Sequence, residues 1–368
     1  MKFLSCRNFN KAQWLGLCVS VLPVAFVSQA VAGGSAPDCK AITDNTQRLA
    51  CYDALSTPAD VAGKPVANAS ADQTSGNTNS PSEKAKGEQG LPQPVPEYAP
   101  IGRLISQHWE LDPDEKNGLF HIVTHRANYV LPGVYSDNVN NHPYSPTHEA
   151  ANPDPGGYQK EELKFQVSFK TKILEDILFS HADLWAAYTQ QSNWQVYNSA
   201  DSRPFRETNY EPEAILAFPT NYDLFGLHGR FVNLAFDHQS NGQADPLSRS
   251  WNRVYAQIGF DRGDFALQFR RWWRLSDKTD DNPDITHYLG HGDLVAAYKR
   301  DGNMYILTLR NNLDSDHNRG AVQFDWTFPL YLNLKGYVQL FSGYGDSLID
   351  YNHRQNTVGL GVMLTDWL

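Results

Sequence analysis

The stretch 231–252 reads FVNLAFDHQSNGQADPLSRSWN and sets His238 two residues before Ser240. A serine hydroxyl is a poor nucleophile near neutral pH, so a base must take its proton, and imidazole suits that task. A third polar group then has to fix the imidazole tautomer and orientation. In an extended chain, residues two apart project from one face. His238 and Ser240 thus read as base and nucleophile side by side, within hydrogen-bond reach after modest rotamer adjustment. As a bare motif the pair is weak, because the chain carries 12 histidines and many serines. Its setting adds weight: Val232, Leu234 and Phe236 share the same face.

The next segment repeats the pattern. Asn252, Val254, Ala256, Ile258 and Phe260 oppose Trp251, Arg253, Tyr255 and Gln257. If 228–240 and 250–260 form a hairpin, Asn252 comes beside His238 near the loop end of both strands. Asparagine can orient an imidazole but supplies no negative charge, so help at a developing oxyanion would be useful. Ser248, Asp245 and free carbonyls of the intervening loop form an oxygen-rich set suited to Ca²⁺. Gly242 can bring a backbone N–H close to an oxyanion. The competing reading of this loop is an ordinary Asn-Gly and Asp-Pro turn.

What positions these residues is a long series of alternating segments. From about Leu119 onward the sequence falls into about twelve, near 119–131, 162–174, 182–194, 210–221, 228–240, 250–260, 263–273, 289–299, 303–311, 319–328, 333–343 and 355–367. Turn residues separate them. Crossing a bilayer at a tilt takes roughly 9–11 residues per strand, whereas strands of soluble proteins average about 5–6. The expected fold is therefore all-β: a twelve-stranded antiparallel transmembrane β-barrel. The alternative is a large soluble β-sandwich or barrel. A polar mean hydropathy of −0.51 does not decide against the membrane, because barrel strands alternate. The stripe bearing His238 and Ser240 would then face lipid, where a polar group is costly without a purpose. Trp185, Tyr188, Trp194, Trp251, Trp272, Trp273, Trp326 and Trp367 lie near segment ends and can form interfacial girdles. Arg253, Tyr255, Gln257, Gln268, Arg270, Gln323 and Asp325 point inward and can fill the lumen, which disfavours a wide pore.

Two further stretches stand out. Arg206, Glu207, Glu211 and Glu213 in PFRETNYEPE suit a salt-bridged strand end, a lumenal network or a dimer surface. Gln190 shares a face with Leu184, Ala186 and Tyr188, so its amide is suited to hydrogen-bonding a partner subunit.

The N-terminal quarter is different. Lys2, Arg7 and Lys11 precede an apolar run from Trp14 to Val27, and Ala30-Val31-Ala32 fits a cleavage site. Residues 1–32 read as a secretory signal peptide. Its removal leaves 28 basic and 41 acidic residues, a net charge of −13, which argues against nucleic acid as a partner. Residues 33–55 carry Cys39 and Cys51, a pair expected to form a disulfide in an oxidising compartment. Residues 56–97 have the composition of a disordered linker. Residues 98–368 hold the barrel.

Four stretches resemble the outer-membrane phospholipase A family of Gram-negative bacteria: PFRETNYE at 204–211, HQSNGQADPLSRSWNR at 238–253, DDNPDIT at 280–286 and SGYGDSLIDY at 342–351. GLGVM at 359–363 adds to them, and the likeness runs in register from about Trp185 to the end. The resemblance implies a calcium-dependent lipase in the outer membrane. It would cleave sn-1 and sn-2 acyl esters of glycerophospholipids, and lysophospholipids, as a homodimer. Ser240 would be the nucleophile, His238 the base, Asn252 its orienter and Gly242 the oxyanion-hole amide. Ser248 and the backbone carbonyl of Gln243 would bind calcium, with Ser202 contributed by the second subunit. Gln190 matches the family's interface glutamine. The sequence departs from the family pattern at Gln243, where members carry arginine, at Arg203, where relatives often have serine, and at the closing Trp367-Leu368. A non-enzymatic porin or structural barrel, or a soluble exported esterase, is the alternative.

Overall fold

The computed structural model describes residues 100–152, 156–200, 204–332 and 334–365. The signal peptide, Cys39 and Cys51, the linker, Ser202, Arg203 and Trp367 lie outside the described residues.

Alternation dictates the architecture. A short strand β1 (Ile122–Thr124) is followed by β2 (Asn128–Ser136), β3 (Glu161–Asp176), β4 (Ala182–Trp194), β5 (Phe205–Leu224), β6 (Leu227–Ser240) and β7 (Ser250–Arg262). Then come β8 (Phe265–Leu275), β9 (Gly292–Arg300), β10 (Asn303–Asn311), β11 (Gly320–Tyr331), β12 (Leu334–Tyr344) and β13 (Arg354–Thr365). Each strand from β2 to β13 pairs antiparallel with the next, and β13 pairs back onto β2, closing a ring of twelve. Closure satisfies every ladder and leaves no open edge, the condition for a sheet to stand in lipid.

The two faces sort as expected for a membrane barrel. Leu234 and Phe236 on β6 are 46% and 45% exposed, while Asn233 and Asp237 on either side of them are fully buried. On β11, Val322 and Trp326 face out, and Asp325 and Thr327 face in. Apolar groups therefore line the outside and polar groups the lumen, the inverse of a soluble barrel. One end carries tight turns such as 225–226, 263–264 and 301–302; the other carries long connections such as 137–160, 241–249 and 276–291.

Three expectations change. The first strand does not run as one piece over 119–131. It breaks at 125–127 because His125 and Arg126 both reach lumenal carboxylates, Glu213 at 3.0 Å and Glu211 at 2.8 Å, and neighbours on a regular strand point opposite ways. Asn128 spans the break with its side chain, accepting from Ser168 N and donating to Ser168 O. Second, Trp185, Trp251 and Trp272 do not belong to an outer girdle. Their parity turns them into the lumen, where they are 1%, 0% and 2% exposed; Trp273 and Trp326 do face out. Third, a helix α1 (Ile101–Trp109) was not anticipated. Its Ile101, Ile105 and Trp109 form one apolar face. Trp109 packs 5.6 Å from Phe231 and edge-on to Trp185, and Lys170 Nζ lies 3.4 Å over its ring. The helix packs against β6, β7 and β8 at the tight-turn end.

Leu234 sits mid-strand on the outer wall, so Leu234→Arg is expected to cost about 2–4 kcal/mol in a bilayer. Denaturant titration of protein refolded into lipid vesicles measures this. A change below about 0.5 kcal/mol would place that face away from the membrane interior.

Candidate active site

The β6–β7 ladder sets the geometry. His238 lies directly opposite Asn252, and Ser240 opposite Ser250. His238 Nδ1 and Asn252 Oδ1 are 2.8 Å apart. This engages one ring nitrogen and leaves Nε2 for the neighbouring hydroxyl. Ser240 and His238 share the outer face, and both are half-buried. No hydrogen bond joins Ser240 to His238 among the described residues. Across β5, Tyr210 is the ladder partner of Ser240.

The loop after Ser240 is shaped by one side chain. Asn241 Oδ1 accepts from Arg249 N at 2.9 Å and Gln243 N at 3.3 Å. Its Nδ2 donates to Leu247 O at 2.9 Å and to Glu207 Oε2 at 3.3 Å. Gly242 adopts φ +64°, and a Cβ there would lie 3.1 Å from the Tyr210 ring. A glycine is needed on both counts. Arg249 is fully buried and donates to the carbonyls of Pro246 and Ser248. Glu207 ties this loop to the one at 345–353, accepting from Gln243 Nε2 at 2.7 Å and from Ile349 N at 3.0 Å. Burial would raise the Asp350 carboxyl, but the Arg206 guanidinium at 2.8 Å holds it below the usual range. Burial pushes the Tyr351 hydroxyl up, and its 2.7 Å hydrogen bond to Asp284 acts the same way.

A cation-capable cluster lies beside the loop. Ser248 Oγ donates to Asp281 Oδ2 at 2.7 Å, and Ser250 Oγ approaches the same oxygen at 3.4 Å. Donor atoms of His148, Asp245 and Asp281 fall within 4.8 Å of one another. The Gln243 side chain is taken by Glu207, and no donor among the described residues is directed at its backbone carbonyl. Oxygen predominates, which suits a hard cation. Ser202 lies outside the described residues. Gln190 is on the same outer wall, its amide bonded within its own strand to Tyr188 and Ser192. It is the ladder partner of Tyr210, so Gln190, Tyr210 and Ser240 form one lateral row.

Sequence reasoning thus named the residues that the ladder brings together. It missed Asp281, His148 and Asp277, whose carboxylate accepts from Asn252 Nδ2 at 2.9 Å. The DDNPDIT stretch was the available signal for Asp281. Nothing local marks His148 or Asp277, which reach the site through loops.

A Phospholipase A1 family profile matches residues 105–364. The chain belongs to the phospholipase A1 family. A Neisseria meningitidis serogroup B protein is 39% identical over 95% of each chain. The Salmonella typhi outer-membrane phospholipase, solved as a dimer with bound calcium, is 34% identical, with a TM-score of 0.64 over 73% of this chain and 99% of that one. An asparagine-to-alanine active-site variant of the Escherichia coli enzyme is 34% identical, with a TM-score of 0.63 over the same shares. Like other phospholipases A1, this chain is a carboxylic ester hydrolase built on an outer-membrane β-barrel.

Asn241→Ala removes four hydrogen bonds that shape 241–249. Ester hydrolysis is expected to fall more than about ten-fold, while the barrel still resists detergent unfolding below its melting temperature. Full hydrolysis in the variant would show that this loop need not be rigid.

Proposed function

We propose that the chain hydrolyses the acyl esters of glycerophospholipids at sn-1 and sn-2, and those of lysophospholipids, through Ser240, His238 and Asn252. The observation that carries the reading is the 2.8 Å bond between His238 Nδ1 and Asn252 Oδ1, in register on the lipid-facing wall beside Ser240. Ser240 Oγ attacks the ester carbonyl and gives its proton to His238 Nε2. The imidazolium passes that proton to the departing alcohol, leaving an acyl-enzyme. His238 then takes a proton from water, which releases the fatty acid and restores the serine. The Gly242 N–H donates to the oxyanion at each tetrahedral stage.

Calcium fits the oxygen-rich cluster beside the loop. Ser248 Oγ and the Gln243 carbonyl would hold it together with the partner subunit's Ser202, and it would add positive charge at the oxyanion. The Gln190–Tyr210–Ser240 row puts the proposed dimer contact two strands from the nucleophile, roughly 10 Å away at normal strand spacing. Pairing across that wall would both bring in Ser202 and cover the half-open site from lipid. Residues 1–32 would direct export and be removed, and the Cys39–Cys51 segment and linker would precede the barrel.

Ser240→Ala is expected to insert normally and lose hydrolysis by more than about 10³-fold in purified form. Substantial residual turnover would remove Ser240 as nucleophile, and failure of a sulfonyl fluoride to label Ser240 in wild type would do the same. Chelator is expected to abolish turnover, with calcium restoring it and magnesium not. Unchanged turnover in chelator would take calcium out of the reaction.

A further inference from the structure

The polar line on the outer wall does not stop at Asn252. On its other side, the ladder partner of Asn252 is Leu275 at the end of β8. Asp277 follows two residues on, where the chain has left the sheet, and its Oδ2 accepts from Asn252 Nδ2 at 2.9 Å. Four side chains, from two neighbouring strands and the loop that follows the third, therefore run laterally: Ser240, His238, Asn252, Asp277. Three other charged groups at the end of β8 and in that loop are engaged elsewhere. Arg274 pairs with Asp280, and Asp281 accepts from Ser248 and Ser250.

The chemistry of the amide gives this bond a consequence. A carboxamide presents an acceptor at one end and donors at the other, whereas a carboxylate only accepts. With Asn252 Oδ1 toward His238, the imidazole carries its proton on Nδ1 and leaves Nε2 free to take a proton from Ser240. If the amide flipped, its NH₂ would face Nδ1, the ring proton would move to Nε2, and the base would be lost. The flip would also turn the amide oxygen against the Asp277 carboxylate. In the Ser-His-Asp arrangement the acid itself excludes the wrong tautomer; an asparagine cannot do so unaided.

We propose that Asp277 is a positioning residue, whose carboxylate locks the Asn252 amide in the orientation that keeps His238 in its base-competent tautomer. The inference rests on the Ser240–His238–Asn252 reading and adds a fourth member to it. Asp277 touches neither substrate nor the reacting atoms in this role.

The test is steady-state ester hydrolysis by full-length protein in mixed micelles with calcium. For Asp277→Ala, kcat is expected to fall about ten-fold with KM within about two-fold of wild type. Asp277→Asn is expected to fall comparably, because a second carboxamide no longer selects one orientation of the first. Asp277→Glu should recover at least about half of the wild-type kcat. In an Asn252→Ala background, Asp277→Ala should cost nothing further, since the two act as one unit. If Asp277→Ala fails to insert, the isosteric Asp277→Asn carries the same comparison. Wild-type kcat in both variants, a change in KM alone, or a full additional loss in the Asn252→Ala background would each overturn the positioning role. Those outcomes with an inactive Ser240→Ala protein would leave the triad standing, whereas an active Ser240→Ala protein would remove the triad itself.

Discussion

Three arginines hold the interior of this barrel together. Arg206 bridges Glu162 and Asp350, Arg126 bridges Glu211 and Glu213, and Arg253 bridges Glu211 and Asp237. With lipid outside, a ring of twelve strands has to turn its polar side chains inward, and unpaired charge there would be costly. Paired and multiply hydrogen-bonded, the same groups form a cross-braced filling, because removing one partner of a buried pair leaves the other uncompensated. β5 supplies much of the acidic half of this network through Glu207, Glu211 and Glu213, all on one parity. Tyr210, on the other parity of the same strand, flanks Ser240 on the outer wall. A single strand thus braces the lumen with one face and borders the site with the other. Glu207 extends the bracing to the loops 241–249 and 345–353, so the backbone around Gly242 rests on the filling and not on lipid.

How much of this was legible in the sequence follows from which signals are local. Strand parity is local, so the twelve segments, their faces and the His238–Asn252 pairing could be read directly. Register followed from the alternating faces of β6 and β7, because a slip of one residue would turn every outward side chain inward. The tryptophans show the limit of reading position without parity. Trp185, Trp251 and Trp272 sit near segment ends but on the inward phase, and being aromatic did not make them interfacial. The break at 125–127 was hidden because it depends on carboxylates about 85 residues away in sequence. The helix α1 was hidden in another way: nine residues with apolar positions at 101, 105 and 109 form too short a pattern to stand out beside a long polar linker. Asp277 and His148 arrive through connections whose paths are set by the folded barrel, and no spacing rule places them.

The use of asparagine at the orienting position makes sense on this wall. A carboxylate there would face the bilayer, and an ionised group in that setting is expensive unless it is paired or reached by water. A neutral amide lowers that cost, but it gives up both the charge and the built-in choice of tautomer. The loop end offers a way round the trade. Asp277 is exposed, where its charge stays hydrated, and yet it reaches the amide at 2.9 Å. The charge is set back by one side chain from the imidazole and kept out of the hydrocarbon. Its electrostatic help to an imidazolium is weaker for that distance and for solvent screening. What survives the distance is directional: an acceptor that only one face of the amide can satisfy. In such an arrangement specificity of orientation, more than field strength, is what the fourth residue provides, and the oxyanion side of the site must supply the electrostatic stabilisation that an aspartate would otherwise have shared.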